Sequence, residues 1–346
     1  MKNLFKILAL VLAVGVVFSS CDPKEDPPPP SQVEDGIYVA GDATADTALN
    51  IKALMSTTRN EVLQETRSTL YELYIALDGS KGFNIVVVEG GESTTYGPGA
   101  DFALVAEEDL DNEEPQAGLW KGSYEETNTQ FQVADDGLYH VIIDTELGKA
   151  AIAKVEWGVI GGATPGGWGG NTVLTESAFD LENMTFETAG MILVIDQFKF
   201  RYSDGWKIIL DTVVDLGGGD KGVKVNTNFG GTVDALVPGG DNIENTVNGI
   251  YTVTMDWVYG VGMTASLVKT GTYTPPTYPD SLYIVGDATA YGWAFPDDGA
   301  FHKAADAAAN EGIFWKICHI SDAGAFKISA KDWGVPDIGF AEVDEF

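Results

Sequence analysis

The chain has 346 residues, with 52 acidic and 20 basic side chains, and a formal net charge of −32. Such an excess of acid argues against nucleic acid as a partner, because phosphate backbones are bound by basic faces. It also argues against adhesion to anionic lipid surfaces. The 41 glycines and the scarcity of long helical patterns predict an all-β chain of many strands and turns.

The first 20 residues are predicted to be a signal peptide. Lys2 and Lys6 precede an apolar run, residues 7–18, that is too short to cross a bilayer comfortably. Small residues follow this run directly before Cys21, an arrangement that resembles a bacterial lipobox. We therefore predict lipidation at Cys21. The alternative is an ordinary cleaved signal with a chance cysteine.

Residues 21–33 are predicted to be an extended, acidic tether, because four consecutive prolines, Pro27–Pro30, cannot pack into a core. The charged triplet 24–26 resembles the signal that directs some lipoproteins to the outer face of the outer membrane. The predicted location is therefore the outer membrane, with the lipid-anchored chain facing the cell exterior.

One eight-residue motif, hereafter the phrase, occurs three times: IYVAGDAT at residues 37–44, WGVIGGAT at 157–164 and LYIVGDAT at 282–289. Each copy is a β-rich apolar run that stops at a glycine turn. The spacing of roughly 120 residues is too long for a solenoid and indicates repeated domains. The second and third copies continue to Gly-Trp, whereas the first has Thr47-Ala48 at that place.

Three β-sandwich modules are predicted, at residues 34–154, 155–273 and 280–346, with a proline-rich linker before the third. In module one, residues 48–63 permit one helix-like segment, and residues 107–115, hereafter the acidic loop, are interpreted as solvated surface. Predicted strands include 70–77, 83–88, 137–143, 157–160, 197–202, 249–255, 262–268, 282–285 and 325–329. Module three lacks a match to the closing hairpin of module two. It is therefore predicted to be truncated at its C-terminus, or else incomplete.

These motifs resemble the SusE/SusF family of starch-utilisation surface lipoproteins. The likeness rests on the Gly-Asp-Ala-Thr…Gly-Trp phrase, the Phe-Lys-Phe/Ile strand followed by tryptophan, and the Gly-x-Tyr closing strand. It implies an immunoglobulin-like N-terminal spacer followed by carbohydrate-binding modules. It also implies a neighbouring importer of the SusC/SusD type. Module one departs from the pattern at Thr47-Ala48 and at Phe83-Asn84, which favours a spacer.

A sugar ring is bound by a flat aromatic face together with charged or amide groups that reach its hydroxyls. In both modules the resemblance places binding tryptophans after the first strand and after the Phe-Lys strand. The candidates in module two are Trp168, Trp206, Lys199, Arg201 and Asn242. The candidates in module three are Tyr291, Trp293, Lys327, Lys331 and Trp333. Alternatively, each tryptophan packs in the core or between two domains, and each cationic side chain is a solvated surface group.

The predicted function is non-catalytic binding of a cell-surface polysaccharide, with a starch-like α-glucan favoured. A structural or adhesive lipoprotein is one alternative, and a glycoside hydrolase is another. The three histidines have no ligand spacing and no nucleophile motif occurs, so neither an enzyme nor a metal or other cofactor is predicted.

Overall fold

The computed structural model describes residues 33–275, 278–304 and 312–339. Within these ranges the regular elements are strands and short 3-10 turns, which confirms the all-β prediction. No helix in the same ranges has the length and apolarity needed to cross a membrane. The predicted signal peptide, Cys21 and nearly all of the tether lie outside the described residues. The turns are Ile51–Ala53, Glu107–Asp109, Gly167–Gly169, Asp297–Gly299 and Lys331–Trp333.

Ten antiparallel strands build module one. They are β1 (Gly36–Ala40), β2 (Ser56–Asn60), β3 (Glu65–Leu77), β4 (Gly82–Glu89), β5 (Glu92–Pro98), β6 (Ala103–Leu104), β7 (Leu119–Glu126), β8 (Phe131–Gln132), β9 (Gly137–Asp144) and β10 (Lys149–Lys154). The hydrogen-bonded order is β1-β4-β5-β7-β10-β9-β3-β2, with β6 added to β7 and β8 added to β4. The strands predicted at 70–77, 83–88 and 137–143 are confirmed within β3, β4 and β9.

The helix-like segment predicted over residues 48–63 is wrong. Only one 3-10 turn forms, and it is capped by Asn50, whose side chain accepts a hydrogen bond from the Lys52 amide. The following residues contain Thr57 and Thr58, whose branched Cβ atoms suit extended backbone. They form β2 and pair with β3, so strand pairing overrides the weak helical spacing.

Twelve strands build module two. They are β11 (Trp157–Ile160), β12 (Thr172–Val173), β13 (Thr175–Glu176), β14 (Asn183–Leu193), β15 (Asp196–Tyr202), β16 (Lys207–Gly217), β17 (Asp220–Asn226), β18 (Asn228–Thr232), β19 (Ala235–Pro238), β20 (Ile243–Asn245), β21 (Gly249–Val258) and β22 (Gly262–Gly271). One sheet runs β12-β11-β15-β18-β19, with β20 added to β15, and a second runs β13-β14-β21-β22. Fully buried Phe198 and Phe200 of the first sheet share one core with Phe186 and Met255 of the second, as in a sandwich.

The hydrophobic core does not stop at the boundary between modules one and two. Tyr74 of β3 lies 6.4 Å from Trp157, 6.3 Å from Tyr202 and 5.9 Å from Phe229, measured between ring centroids. Trp257 Nε1 donates a hydrogen bond of 3.1 Å to Tyr74 O. The sheets of the two modules are therefore separate, but their buried side chains form one cluster. The division of the chain into domains at 34–154 and 155–273 stays a prediction.

Module three is described as two small pieces of sheet. Its strands are β23 (Leu282–Val285), β24 (His302–Lys303), β25 (Phe314–Trp315), β26 (Lys327–Ala330) and β27 (Gly334–Ile338). They pair in the order β23-β26-β27, with β24 and β25 as a separate pair. The pairing of β23 with β26 has the register of β11 with β15, because Val285 faces Lys327 as Ile160 faces Lys199.

The repeated phrase forms the same turn three times. Gly41, Gly161 and Gly286 have φ values of +147°, +149° and +136°, which other residues rarely adopt. In every copy the threonine hydroxyl, three residues later, donates to the glycine carbonyl at 2.9 Å. The alanine between them is buried in each copy. The phrase therefore forms a shared structural unit of the three modules.

Asp211, in β16 of module two, is held by its own strand and by a lysine of module one. Its Oδ2 accepts from Lys149 Nζ at 3.0 Å, and its Oδ1 accepts from the Val213 and Val214 amides at 2.6 and 2.7 Å. The Val214 amide contributes most to lowering the pKa of Asp211 to about 2.

A lowered folded-state pKa stabilises the protein above the unfolded pKa of about 3.9, and this contribution is lost as the pH falls toward the folded value. We expect Asp211→Asn to flatten the loss of stability between about pH 4 and pH 2. Urea unfolding at several pH values measures this, with Asp220→Asn at the exposed start of β17 as control. Parallel pH profiles for Asp211→Asn and wild type would contradict the assignment.

Candidate functional site

Trp168 stands on a glycine loop with its indole largely free. Gly161 N donates to Gly167 O at 3.0 Å, and Gly167 takes a φ of +56°, so the loop folds back on the repeated turn. The side chain of Trp168 is 46% exposed. The third copy has the same geometry, with Gly286 N donating to Gly292 O at 2.7 Å. The Gly-Trp tail therefore presents a tryptophan from a fixed turn in both modules.

Trp206 is half-buried and has a cationic neighbour. The guanidinium of Arg201 lies 4.6 Å from the Trp206 ring centroid. Arg201 is 7% exposed, with Nε donating to Asn171 Oδ1 at 3.0 Å and Nη2 to Asp204 Oδ1 at 3.1 Å. Desolvation lowers the pKa of Arg201, although Asp204 opposes this. One face of Trp206 is thus already occupied by a protein cation.

Lys199 and Asn242 are tied to protein partners. Lys199 Nζ donates to Asn228 Oδ1 at 3.1 Å, and burial lowers its pKa. Asn242 Nδ2 donates to Gln197 Oε1 at 2.9 Å. Lys199 is half-buried, so a ligand would meet both groups within an existing hydrogen-bond network.

The structure does not bring the two tryptophans of module two into contact. Ile160, which precedes the Trp168 loop, faces Lys199 at one end of the β11–β15 ladder. Tyr202, which precedes Trp206, faces Trp157 at the other end. Consistent with this register, no ring contact joins Trp168 to Trp206 within the described ranges. Module two thus offers two separate aromatic positions.

Module three, in contrast, brings its tryptophans together. The centroids of Trp293 and Trp333 are 6.2 Å apart with ring planes inclined by 32°. Phe295 meets Trp333 edge to face at 4.9 Å. Trp293 and Trp333 are 45% and 48% exposed. The pair forms a tilted aromatic platform that is open to solvent.

The polar candidates of module three have different surroundings. Lys327 Nζ pairs with Asp337 Oδ2 at 3.0 Å, whereas Lys331 is exposed. Lys316 Nζ, which sequence reasoning missed, lies 5.1 Å from the Tyr291 ring centroid and donates to Asp298 O at 2.6 Å. Tyr291 therefore has a cation against its ring, as Trp206 does.

Several neighbours of these side chains were not singled out from the sequence. Phe295 lies two residues after Trp293, and Asn171 lies directly after the Trp168 loop; this closeness in sequence was the available signal. Trp315 is 51% exposed and lies 4.8 Å from His302 between ring centroids. The strands β24 and β25 form a two-stranded piece that leaves it open.

A cleft of about 390 Å³ lies between modules one and two, and none of the predicted site residues lines it. Its walls come from β2 and β3 on one side and from β18, β19 and the β21–β22 turn on the other. Its lining includes Glu72, Tyr74, Phe229, Trp257 and Met263. Within the described ranges, no cluster of three or more His, Cys, Asp or Glu side chains could hold a metal ion.

No protein-family model matches the chain, and no curated protein matches it. Among solved structures, the chain is similar to the crystal structure of SusF from Bacteroides thetaiotaomicron. The identity is 17% and the TM-score 0.22, over 87% of this chain and 61% of that chain. The chain thus spans 61% of the length of the solved structure. The fold assignment rests on the chain's own sheets.

Proposed function

We propose that the protein binds polysaccharide without catalysis, as a lipoprotein on the outer face of the outer membrane. The main support is the open Trp293–Trp333 platform, because two adjacent, half-exposed indole faces suit the apolar face of a sugar ring. Trp168, presented from the same repeated turn, supports a second position. The favoured ligand is a starch-like α-glucan, retained for a neighbouring importer of the SusC/SusD type.

Two binding modules on one tether would strengthen retention of a polymer. A single exposed aromatic site of this kind, in either module, is expected to bind weakly. When two sites can reach the same chain, the second binding event is intramolecular and benefits from a high local concentration. Polysaccharides present many equivalent rings, so avidity suits this ligand class better than it suits a small sugar.

The double substitution Trp293→Ala and Trp333→Ala tests the platform. We expect a loss of about 2 kcal/mol per essential aromatic contact, roughly 30-fold in affinity, because anchoring aromatics dominate such interfaces. Retardation in amylopectin affinity gels is the measurement. Retention should fall for this variant and for Trp168→Ala, and it should vanish when both modules are altered.

Trp315→Ala is the matched control, since it removes an equally exposed tryptophan of the same module outside the platform. Equal losses from Trp315→Ala and from the platform variant would contradict the assigned site. If amylopectin does not slow the wild type, a panel of other neutral polysaccharides separates a wrong sugar from a wrong function. Failure of the whole panel would favour the structural or adhesive alternative.

A further inference from the structure

We propose that the acidic loop of module one positions Trp206, so that glycan binding by module two depends on module one. This inference rests on the proposed function, and it assigns module one a role beyond that of a spacer. The loop and Trp206 are separated by about 90 residues in sequence but meet across the module boundary. Glu113 and Glu114 are the proposed positioning residues.

The main chain of the loop holds the Trp206 turn, residues 203–206. Glu113 O accepts from the amides of Trp206 at 2.6 Å and Lys207 at 2.8 Å. Gln116 N, directly after the acidic loop, donates to Ser203 O at 2.7 Å. These three hydrogen bonds clamp both ends of the turn against module one.

The Trp206 turn packs closely against the acidic loop. Ser203 and Asp204 have φ values of +46° and +56°, so two successive non-glycine residues adopt the left-handed conformation. Gly205 follows, and a Cβ there would lie 2.5 Å from Pro115 N. The module-three turn has the same left-handed pair at Asp332 and Trp333, so this conformation belongs to the turn itself, whereas the close approach of Gly205 to Pro115 depends on the docked loop. Docking therefore determines where the chain leaves the turn and where the Trp206 ring lies over Arg201.

Two carboxylates of the acidic loop bind lysine side chains and a backbone amide that fix the loop's position. Glu114 is 1% exposed; its oxygens accept from Lys121 Nζ at 2.6 and 2.8 Å, and Oε1 also accepts from the Ile209 amide at 2.9 Å. The Glu113 carboxylate lies between Lys207 Nζ at 3.3 Å and Lys224 Nζ at 3.2 Å. Burial alone would raise the pKa of Glu113, but the two lysines outweigh it and lower that pKa. Glu114 thus links β7 of module one to β16 of module two.

Glu114→Gln is the test, since it keeps an acceptor for Ile209 but removes the charge facing Lys121. It is made in two backgrounds. Trp293→Ala with Trp333→Ala leaves only module two to bind, and Trp168→Ala with Trp206→Ala leaves only module three. We expect amylopectin affinity to fall roughly tenfold in the first background, the loss typical of one charged hydrogen bond, and to stay unchanged in the second. Glu108→Gln, at an exposed position of the same loop, is the control.

Equal losses in both backgrounds would mean general destabilisation and would overturn the inference, as would no loss in either. A second measurement does not need a glycan. With 5-fluorotryptophan incorporated, the Trp206 fluorine signal is identified by its loss in Trp206→Phe. Glu114→Gln should shift or broaden that signal and leave the Trp293 signal unchanged. If the wild type binds no glycan but Glu114→Gln still changes the Trp206 fluorine signal alone, the proposed function fails and the positioning role stands. If Glu114→Gln leaves the Trp206 signal unchanged, the positioning role is refuted.

Discussion

Replacing Gly161 with alanine is expected to destabilise the protein by about 3 kcal/mol or more, since backbone strain and overpacking act together. Gly161 has a φ of +149°, and a Cβ there would lie 2.3 Å from Gln197 O and 2.4 Å from Phe198 Cα. Both neighbours are backbone atoms of β15, which cannot move without breaking the ladder to β11. Chemical denaturation of the intact protein measures the loss.

Gly169→Ala provides the control for Gly161→Ala. Gly169 lies in the same loop, a Cβ added there would meet no neighbouring side chain or strand within 4 Å, and its backbone is not left-handed. Its effect should stay within about 0.5 kcal/mol, as is usual for exposed substitutions. Similar effects for Gly161→Ala and Gly169→Ala would mean that the repeated turn does not require its glycine.

Trp257→Ala is expected to lower stability by about 3–5 kcal/mol, the range for deleting a buried aromatic side chain. Trp257 is 1% exposed, and its indole nitrogen bonds to Tyr74 O of module one. Because the core is continuous across the boundary, we expect modules one and two to unfold together in the wild type and to shift together in the variant. Calorimetry of the intact protein follows both modules.

Trp168→Ala is the control for Trp257→Ala. It removes a tryptophan that is 46% exposed, so the unfolding temperature of modules one and two should stay unchanged. The contrary result for Trp257→Ala would be a module-one transition that stays at its wild-type temperature while a second transition moves down. That outcome would show that the contact between the modules does not couple their stabilities.

Local sequence patterns predicted most of the strands well. Continuous apolar runs bounded by turn residues located β3, β4 and β9, and partly alternating or β-branched runs located β15, β21 and β22, because strands buried on both faces are apolar throughout whereas half-exposed strands alternate. The recurrence of the phrase also predicted three related turns. The requirement for glycine in them follows from contacts with the neighbouring strand, which the sequence alone does not display.

Side-chain environments were harder to predict. The glycine-rich loop around Trp168 favours exposure, because it offers little to bury an indole against, and that side chain is indeed 46% exposed. Arg201 was interpreted as part of a polar face that could reach sugar hydroxyls, but the structure buries it between Asn171 and Trp206. The acidic loop was interpreted as solvated surface, yet Glu114 is buried in contact with module two. Glu114 meets Ile209, which is distant in sequence, and Arg201 meets Asn171 as well as its near neighbours, so neither environment could be read from one short segment.

The sequence by itself determined the strand and turn repeat and the places where tryptophans follow it, because both depend on residues within one short segment. Only the tertiary structure decided that Trp293 and Trp333 meet, that Trp168 and Trp206 stay apart, and that module one reaches the Trp206 turn. The physical reason is that strand register and the packing of one sheet on another depend on contacts between distant segments. Hydrophobic periodicity indicates which face of a strand is buried, but it does not indicate which other segment of the chain packs against that face.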